Sequence, residues 1–201
     1  MSSQDLCELI LVGEEKRNLE YKAPMRWDND LTKAKITKTV LAMSNIRDGG
    51  WIVIGVNQLP NGTFERVGLT EEESNTFNHD DIAPFINGYA DPYVKLHVYQ
   101  VSCENKRYVI MKVDEFEEFP VICKKEYPLA DLHQGKMYIR STRKNENSEV
   151  STLIEMKEII ELAVDKNMRA FFGRLQRVGM ISKGVVSNDE EAFRNQIGDL
   201  K

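Results

Sequence analysis

Basic side chains are concentrated between residues 16 and 38, where seven lysines and arginines face three acidic residues. Trp27 lies inside this cluster, and more basic residues follow a strand-like segment near residue 140. A basic groove with an aromatic side chain for stacking suits a single strand or an irregular RNA. The pattern predicts a nucleic-acid-binding face that comprises Lys16, Arg17, Lys22, Arg26, Trp27, Lys33, Lys35, Lys38, Arg140, Arg143 and Lys144. The alternative is a solvated helix face with Trp27 in the core.

Residues 14–22, EEKRNLEYK, carry charges of both signs at close intervals. Two interpretations are open for this stretch. It is either the rim of an active site or a solvated segment in which Glu15 and Glu20 form ion pairs with neighbouring lysines and arginines. Further on, the RDGG turn before residue 51 offers glycine amides to an anion, but the chain has no Walker-type G-K-[ST] sequence. ATP binding therefore has little support.

The chain as a whole is acidic, with a formal net charge of −5. It has no global attraction to nucleic acid or to an anionic membrane, so any nucleic-acid binding must come from a local patch. No run approaches the roughly 20 apolar residues of a spanning helix, and the N-terminus lacks the features of a signal peptide. We therefore expect a cytoplasmic protein with no membrane partner.

The three cysteines, Cys7, Cys103 and Cys123, are widely separated and form no C-x-x-C pair. The spacing predicts buried or half-buried thiols, and it signals neither a disulfide framework nor a zinc knuckle. His97 and His133 could approach these cysteines, but their spacing follows no zinc template.

Two helices are predicted in the N-terminal quarter of the chain. Leu6 and Ile10 recur at helical spacing before Gly13, and a second helix is predicted over residues 31–46 with Asp30 as its N-cap. Strands are predicted from β-branched or alternating apolar runs, with an Asn-Gly hairpin turn after the first. They fall within residues 51–56, 64–68, 92–101, 107–113, 119–125 and 136–141.

A long C-terminal helix is predicted from Thr152, which lies three residues before Glu155 in capping-box spacing. It could reach about residue 178, and its second half could be a separate helix. Phe171 and Phe172 there need a partner, which is either the domain itself or a second copy of the chain. The polar tail from Ser182 is predicted to be loosely ordered. The element pattern predicts an α+β fold, with mixed or antiparallel sheets packed against helices and a helical extension.

The order of these motifs resembles the Alba-like domain of the Schlafen superfamily, in its bacterial form. The motifs are GEEKRNLEYK, TVLAMSNIRDGG, WIVIGV, the Asn-Gly hairpin, VGL, DIAPFI, YVIMKV, FPVICK and MYIRST. The resemblance implies an Alba-like nucleic-acid-binding domain over residues 1–164, followed by a helical extension and polar tail over residues 165–201. It also implies binding of DNA or RNA, with a role in transcriptional regulation or phage defence.

The same resemblance implies an alternative, a metal-dependent endoribonuclease. In Schlafen nucleases, two glutamates of the E-x-x-x-x-E-[FY]-K element and an aspartate after the following strand hold the metal. The first two match Glu15 and Glu20, Lys22 completes the element, and Gln58 stands where the third acid is expected. Glu15 and Glu20 are thus the candidate ligands of Mg²⁺ or Mn²⁺, and Asp48 is a candidate substitute for the missing acid. The residues indicate no other cofactor.

An acidic segment, VDEFEEFP, places four acids around two phenylalanines at residues 113–120. It would repel nucleic acid, so we expect it to face away from the groove or to contact a protein partner. A third hypothesis follows, in which the chain is a non-catalytic subunit of a larger assembly, with a homodimer or protein contact through the C-terminal helix.

Overall fold

The computed structural model of the protein describes residues 3–142 and 146–180. The helices of these residues are α1 (Ser3–Leu11), α2 (Asp30–Ser44), α3 (Glu71–Asn75), α4 (His79–Asn87) and α5 (Leu153–Arg177), with a 3₁₀ turn η1 (Pro128–Ala130). The strands are β1 (Leu19–Lys22), β2 (Gly50–Ile54), β3 (Val56–Gln58), β4 (Phe64–Arg66), β5 (Ala90–Asp91), β6 (Leu96–Cys103), β7 (Lys106–Val113), β8 (Ile122–Cys123), β9 (Tyr138–Arg140) and β10 (Asn147–Glu149). The predicted α+β class and the C-terminal helix are confirmed.

A four-stranded sheet in the order β1-β2-β7-β6 forms the centre of the fold. β1 runs parallel to β2, whereas β7 is antiparallel to both β2 and β6. The sheet is therefore mixed, and three two-stranded sheets surround it, β3-β4, β5-β8 and β9-β10. The apolar run at residues 51–56 supplies the interior strand β2, as predicted, because both of its faces are covered.

The two faces of the central sheet carry different helices. Tyr21, Val53 and Ile110 are register partners on one face, where they pack with Leu6 and Ile10 of α1. Successive side chains in a strand alternate, so residues at the intervening positions, Glu20 and Lys22 among them, lie on the opposite face. α2 packs there.

Several details differ from the sequence prediction. The N-cap of α2 is Asn29 and not Asp30, because the Asn29 side chain accepts hydrogen bonds from the amides of Leu31 and Thr32 at 2.9 and 3.1 Å. The predicted strand 51–56 breaks at Gly55, whose φ of +113° suits glycine alone, and the chain then enters the hairpin β3-β4.

The cysteine prediction was wrong for two of the three residues. Cys7 of α1 and Cys103 of β6 form a disulfide across a separation of 96 residues, with their Cα atoms 5.6 Å apart. Cys123 is a buried thiol, as predicted. Spacing along the chain carries no information about a pair that only the packing of α1 on the sheet brings together.

α5 is one continuous helix over 25 residues, and no break divides its second half. It begins with the predicted capping box, since Thr152 Oγ1 accepts from the Glu155 amide and the Glu155 carboxylate accepts from the Thr152 amide. The chain divides into two compact units, Met1–Leu162 and Ala163–Lys201. In the second unit, Phe171 and Phe172 are about half exposed. The tail from Ser182 lies outside the described residues.

The turn before β2 generates the first prediction. Gly49 has a φ of +67°, and a Cβ there would overlap the carbonyl oxygen of Val113 and lie 2.9 Å from the amide nitrogen of Glu115. We expect Gly49→Ala to lower the free energy of unfolding by at least about 2 kcal/mol, as measured by urea denaturation. Gly62→Ala is the matched control, because its φ is +83° but no atom lies within 4 Å of its Cβ position. A control loss as large as that of Gly49→Ala would contradict the steric argument.

Candidate functional site

A buried ion pair between Glu20 and Arg140 lies at the centre of the candidate site. Glu20 of β1 is 4% exposed and Arg140 of β9 is 1% exposed. Arg140 Nη1 donates to Glu20 Oε2 at 2.6 Å. Because both charges are removed from water, each needs the other to offset its desolvation. The pair joins two strands that are 120 residues apart in the chain.

Three further side chains surround the Glu20 carboxylate. Lys22 forms an ion pair with its Oε1, and Thr39 of α2 donates to the same oxygen at 3.4 Å. Asn147 of β10 donates to Oε2 at 3.3 Å and to Thr39 Oγ1 at 2.8 Å. Both carboxylate oxygens of Glu20 are therefore engaged by donors from four different elements.

Arg17 and Arg140 exchange hydrogen bonds with each other's backbone. Arg17 Nε donates to the Arg140 carbonyl at 2.8 Å, and Arg140 Nε donates to the Arg17 carbonyl at 3.1 Å. The Arg17 guanidinium also makes a two-pronged contact with the Glu158 carboxylate, at 2.6 and 2.8 Å. Such paired geometry fixes both groups. Arg17 thus fastens the start of α5 to the segment before β1.

Glu15 precedes β1, and its side chain reaches the backbone of that strand. Its Oε1 accepts a hydrogen bond from the Tyr21 amide at 3.0 Å. Partial burial raises the pKa of the Glu15 carboxyl, the Tyr21 hydrogen bond opposes this, and the charge of Glu20 adds a smaller upward effect. The carboxylate therefore satisfies an amide at the edge of the strand, and this role accounts for its position without a metal.

A pocket of about 230 Å³ opens beside this network, and we call it the lysine pocket. Its charged lining residues are Lys22, Lys35, Lys38 and Asp131. Lys38 lies 3.5 Å from the exposed Asp131 carboxylate and 5.5 Å from the Tyr138 ring centroid. Since the charge of Arg140 offsets that of Glu20, the pocket keeps an excess of positive charge in an acidic chain. The rest of the lining is Thr39, Leu129, Ala130 and Asn147.

Other residues of the predicted basic face lie elsewhere. Lys16 is exposed, Arg26 pairs with the exposed Asp28 at 2.6 Å, and Lys33 stands over the Phe85 ring at 5.5 Å. Arg143 and Lys144 lie outside the described residues. The guanidinium groups of Arg140 and Arg17 are bound to the carboxylates of Glu20 and Glu158. They are therefore not free to bind a phosphate.

Trp27 does not offer its ring to a base, which corrects the prediction that it is a stacking platform. It is 5% exposed, and its ring packs against Phe77 and Phe85 with centroids 6.2 and 5.7 Å away. The alternative that placed Trp27 in the core is the one that the structure favours. Its amide donates to Thr76 Oγ1 at 2.9 Å, which fixes the loop before α2.

The candidate metal ligands already have other partners in this structure. Within residues 3–142 and 146–180, no group of three or more acidic, histidine or cysteine side chains could hold a metal ion. Glu20 is already neutralised by Arg140 and Lys22, and Gln58 is an exposed residue of β3 that pairs in register with Phe64. Asp48 lies on the turn before β2, where its amide donates to Glu115 at 2.8 Å.

The RDGG turn and the acidic segment are also occupied internally. The Gly49 amide donates to the Ile46 carbonyl at 3.2 Å. It is therefore not free to donate to a bound anion. In the acidic segment, Asp114 contacts Lys112 at 3.0 Å and Glu117 pairs with Lys95. These two acids therefore form ion pairs with Lys112 of β7 and with Lys95, the residue before β6.

Two polar residues of the site carried no sequence signal. Asn147 lies in the polar stretch NENSE, and Thr39 has the position of an ordinary residue in a helix. Lys35 and Lys38 could be predicted to share a face, since they are three apart on α2. Nothing in the spacing indicates that Asn147 joins them.

Comparisons with known proteins match this chain to one family. A family model described as Schlafen, AlbA_2 matches residues 15–149, which is more than half of the chain. A comparison with curated proteins gives no significant match. No helix of the described residues is both long and apolar enough to cross a membrane.

Solved structures that are similar to this chain include the two that follow. The DIP2311 protein from Corynebacterium diphtheriae has a TM-score of 0.48 at 12% identity, over 77% of this chain and 27% of that one. The N-terminal domain of a RecG-related protein from Nitrosomonas europaea has a TM-score of 0.46 at 20% identity, over 76% of this chain and 97% of that one. The chain spans about a quarter of the length of the first protein. With TM-scores below 0.5, neither likeness bears on function.

The buried ion pair generates the second prediction. Arg140→Met leaves the Glu20 carboxylate buried without its main partner, so we expect a loss of about 3 kcal/mol in the free energy of unfolding. Adding Glu20→Gln to this variant removes the stranded charge and should recover part of the loss. Arg26→Met breaks an exposed pair with Asp28 and should lower the free energy of unfolding far less than Arg140→Met does, as measured by the same urea titration. Equal losses for Arg140→Met and Arg26→Met would refute the structural role of the pair.

Glu15 generates the third prediction. Its pKa is raised in the folded state, so the stability that it contributes is fully present below the unfolded pKa and is lost as the pH rises through the folded pKa. Gln stays neutral and accepts the same Tyr21 hydrogen bond. We therefore expect the stability of Glu15→Gln relative to that of wild type to be greater at pH about 7 than at pH about 4. Thermal unfolding across this range measures the difference, with Glu14→Gln at an exposed side chain as the control. A pH-independent difference would contradict the assignment.

Proposed function

The chain belongs to the Schlafen, AlbA_2 family, and from that premise we propose that it binds nucleic acid by seating backbone phosphates at the lysine pocket. The single observation that carries the proposal is the convergence of Lys22, Lys35 and Lys38 on one opening of a chain whose net charge is −5. A lysine ammonium binds phosphate as a point charge. The role of the pocket is to provide a local excess of positive charge on a molecule whose net charge is negative.

The network below the lysines supports this proposal. Arg140 offsets the charge of Glu20, so an approaching phosphate meets the lysines without an uncompensated carboxylate beneath them. Thr39 and Asn147, which are hydrogen-bonded to each other, line the same pocket and add polar groups. Asp131 is a competitor, since it forms an exposed ion pair with Lys38 that a phosphate must displace. Such an exposed pair is weak, and its displacement costs little.

We propose binding in preference to cleavage. The described residues include no group of three or more acidic, histidine or cysteine side chains that could hold a metal ion, and the two glutamates of the EEKRNLEYK element have structural partners. The choice between RNA and DNA, a role in transcriptional regulation or phage defence, and a homodimer or protein partner at the C-terminal helix stay predictions. A metal-dependent endoribonuclease that uses Glu15 and Glu20 is the outcome that would overturn the choice.

The fourth prediction tests the lysine pocket. The probe is a labelled single strand of about 12 nucleotides, as RNA and as DNA, with binding measured by fluorescence anisotropy in EDTA from about 50 to 200 mM salt. We expect Lys35→Gln/Lys38→Gln to weaken binding roughly tenfold and to reduce the salt slope by about 1.5, which corresponds to two lost phosphate contacts. Lys22 is left intact, because it is paired with the buried Glu20.

The matched control is Lys95→Gln/Lys157→Gln, which removes the same charge from two exposed lysines that pair with Glu117 and Glu161. Equal weakening in both double variants would show that only net charge matters and would reject the pocket. A parallel incubation with Mg²⁺ or Mn²⁺ tests cleavage. Metal-dependent cleavage that disappears in Glu15→Gln would replace the binding proposal with the nuclease, and Glu15→Gln is suitable because it leaves the Glu20 network in place.

A further inference from the structure

A second and larger opening lies beside α4. Its volume is about 470 Å³, and we call it the Tyr93 groove. The described residues that line it are Ala83, Pro84, Asn87, Gly88, Tyr93 and Lys124. None of these six is acidic, and most of the surface is apolar. Tyr93 is 76% exposed, which is unusual for a large aromatic side chain that has no role in the core.

The backbone beside Tyr93 is held firmly although its ring is exposed. The Val94 amide donates to Asn87 Oδ1 at 2.7 Å, and Asn87 Nδ2 donates to the Val94 carbonyl at 3.1 Å. This double contact ties the residue after Tyr93 to the end of α4. Because the backbone next to Tyr93 is fixed in this way, little backbone freedom is lost when a ligand stacks on the exposed ring.

A lysine accompanies the Tyr93 ring. Lys124 Nζ lies 5.0 Å from the ring centroid, within the range of a cation–π contact. The Lys124 amide donates to the Tyr89 carbonyl at 2.8 Å, so its backbone is fixed as well. With 76% of Tyr93 exposed, the ring keeps accessible aromatic surface beyond the part that Lys124 covers. In such a pair, the cation can bind the phosphate of a nucleotide and the aromatic face can stack on its base.

The pairing of lysine with an aromatic ring is repeated between this groove and α2. Lys125 Nζ lies 5.5 Å from the Tyr89 ring centroid, and Lys33 Nζ lies 5.5 Å from that of Phe85. The Tyr89 and Phe85 rings are themselves 5.5 Å apart. Three lysines, Lys33, Lys124 and Lys125, thus each lie over an aromatic ring.

One short segment connects the Tyr93 groove with the lysine pocket. Lys124 lines the groove, whereas Leu129, Ala130 and Asp131 line the pocket. Seven residue steps separate Lys124 from Asp131, so the two openings are at most about 25 Å apart along this chain. At about 3.4 Å per nucleotide, that distance corresponds to roughly seven stacked bases. A strand of about 12 nucleotides is therefore long enough to reach both.

We propose that the Tyr93 groove holds an unpaired base of a single-stranded nucleic acid whose phosphates are seated at the lysine pocket. This inference rests on the proposed function and specifies its substrate class as single-stranded. Bases within a duplex are stacked on each other and cannot reach a protein ring without leaving the helix. The nearby acids do not block the groove, since Glu126 is engaged by His133 at 2.7 Å and Asp91 is not in the lining.

The fifth prediction tests the groove with Tyr93→Ala. We expect this change to weaken binding of the 12-nucleotide single strand by roughly fivefold to a hundredfold, the range found for loss of one stacked base. Binding of a duplex of equal length should be unchanged. Tyr93→Phe keeps the ring and should bind as wild type does. Phe119→Ala removes another exposed aromatic ring, which is 62% exposed in the acidic segment, and should have no effect.

A probe that lacks its bases isolates stacking from charge. On an abasic sugar-phosphate strand of the same length, wild type and Tyr93→Ala should bind equally, because only the phosphates remain. If Tyr93→Ala instead weakens duplex and abasic binding as much as single-strand binding, or weakens none of them, the groove is not a base site. A protein partner would then be the occupant to seek.

The two proposals fail in distinguishable ways. If Lys35→Gln/Lys38→Gln weakens binding and Tyr93→Ala does not, the lysine pocket stands and the Tyr93 groove is rejected. If wild type binds neither RNA nor DNA, both are rejected. Tyr93 is an exposed side chain, so its replacement should leave the fold intact, and circular dichroism with urea denaturation verifies this.

Discussion

The buried pair of Glu20 and Arg140 is the interaction on which the rest of the site depends. Arg140 is almost fully removed from water, and besides Glu20 it donates to the carbonyl oxygens of Lys16 and Arg17. Through these contacts one guanidinium joins β1, the segment before it and β9. A buried guanidinium tolerates few alternative arrangements, because any other would leave donors or a charge unsatisfied. The pair therefore fixes the positions of the walls around the lysine pocket.

The same pair changes the meaning of the EEKRNLEYK element. In the nucleases of this superfamily the two glutamates are taken as metal ligands, but here Glu20 balances an internal arginine and Glu15 satisfies a backbone amide. Retaining the element does not by itself retain the chemistry, because both carboxylates already have structural partners that a metal would have to share or displace. Gln58 agrees with this view. Lys22, the last residue of the element, lines the lysine pocket.

The sequence predicted the features that rest on local patterns and missed those that rest on packing. Periodicity identified α1, α2, β2, the β6-β7 hairpin and α5, and the motif order identified the family. The helices α3 and α4 were missed, although Thr70 and Glu73 form a capping box that signals the first. The sequence left open whether Trp27 is buried or exposed, because a tryptophan beside lysines is compatible with both. Arg140 was predicted to face nucleic acid, and no sequence pattern could reveal a partner 120 residues away.

The distribution of charge explains how an acidic protein can present a selective basic surface. Several exposed cations elsewhere are matched by nearby acids, as Lys95 is by Glu117 and Lys157 is by Glu161. These pairs suppress general attraction to polyanions, since each is locally neutral beyond a Debye length. Lys22, Lys35 and Lys38 share one opening, and the cations beyond it lie over aromatic rings. Beyond the lysine pocket, cations and aromatic rings therefore occur together. Such an arrangement favours a flexible strand with free bases over a rigid duplex, whose base faces are stacked inside the helix.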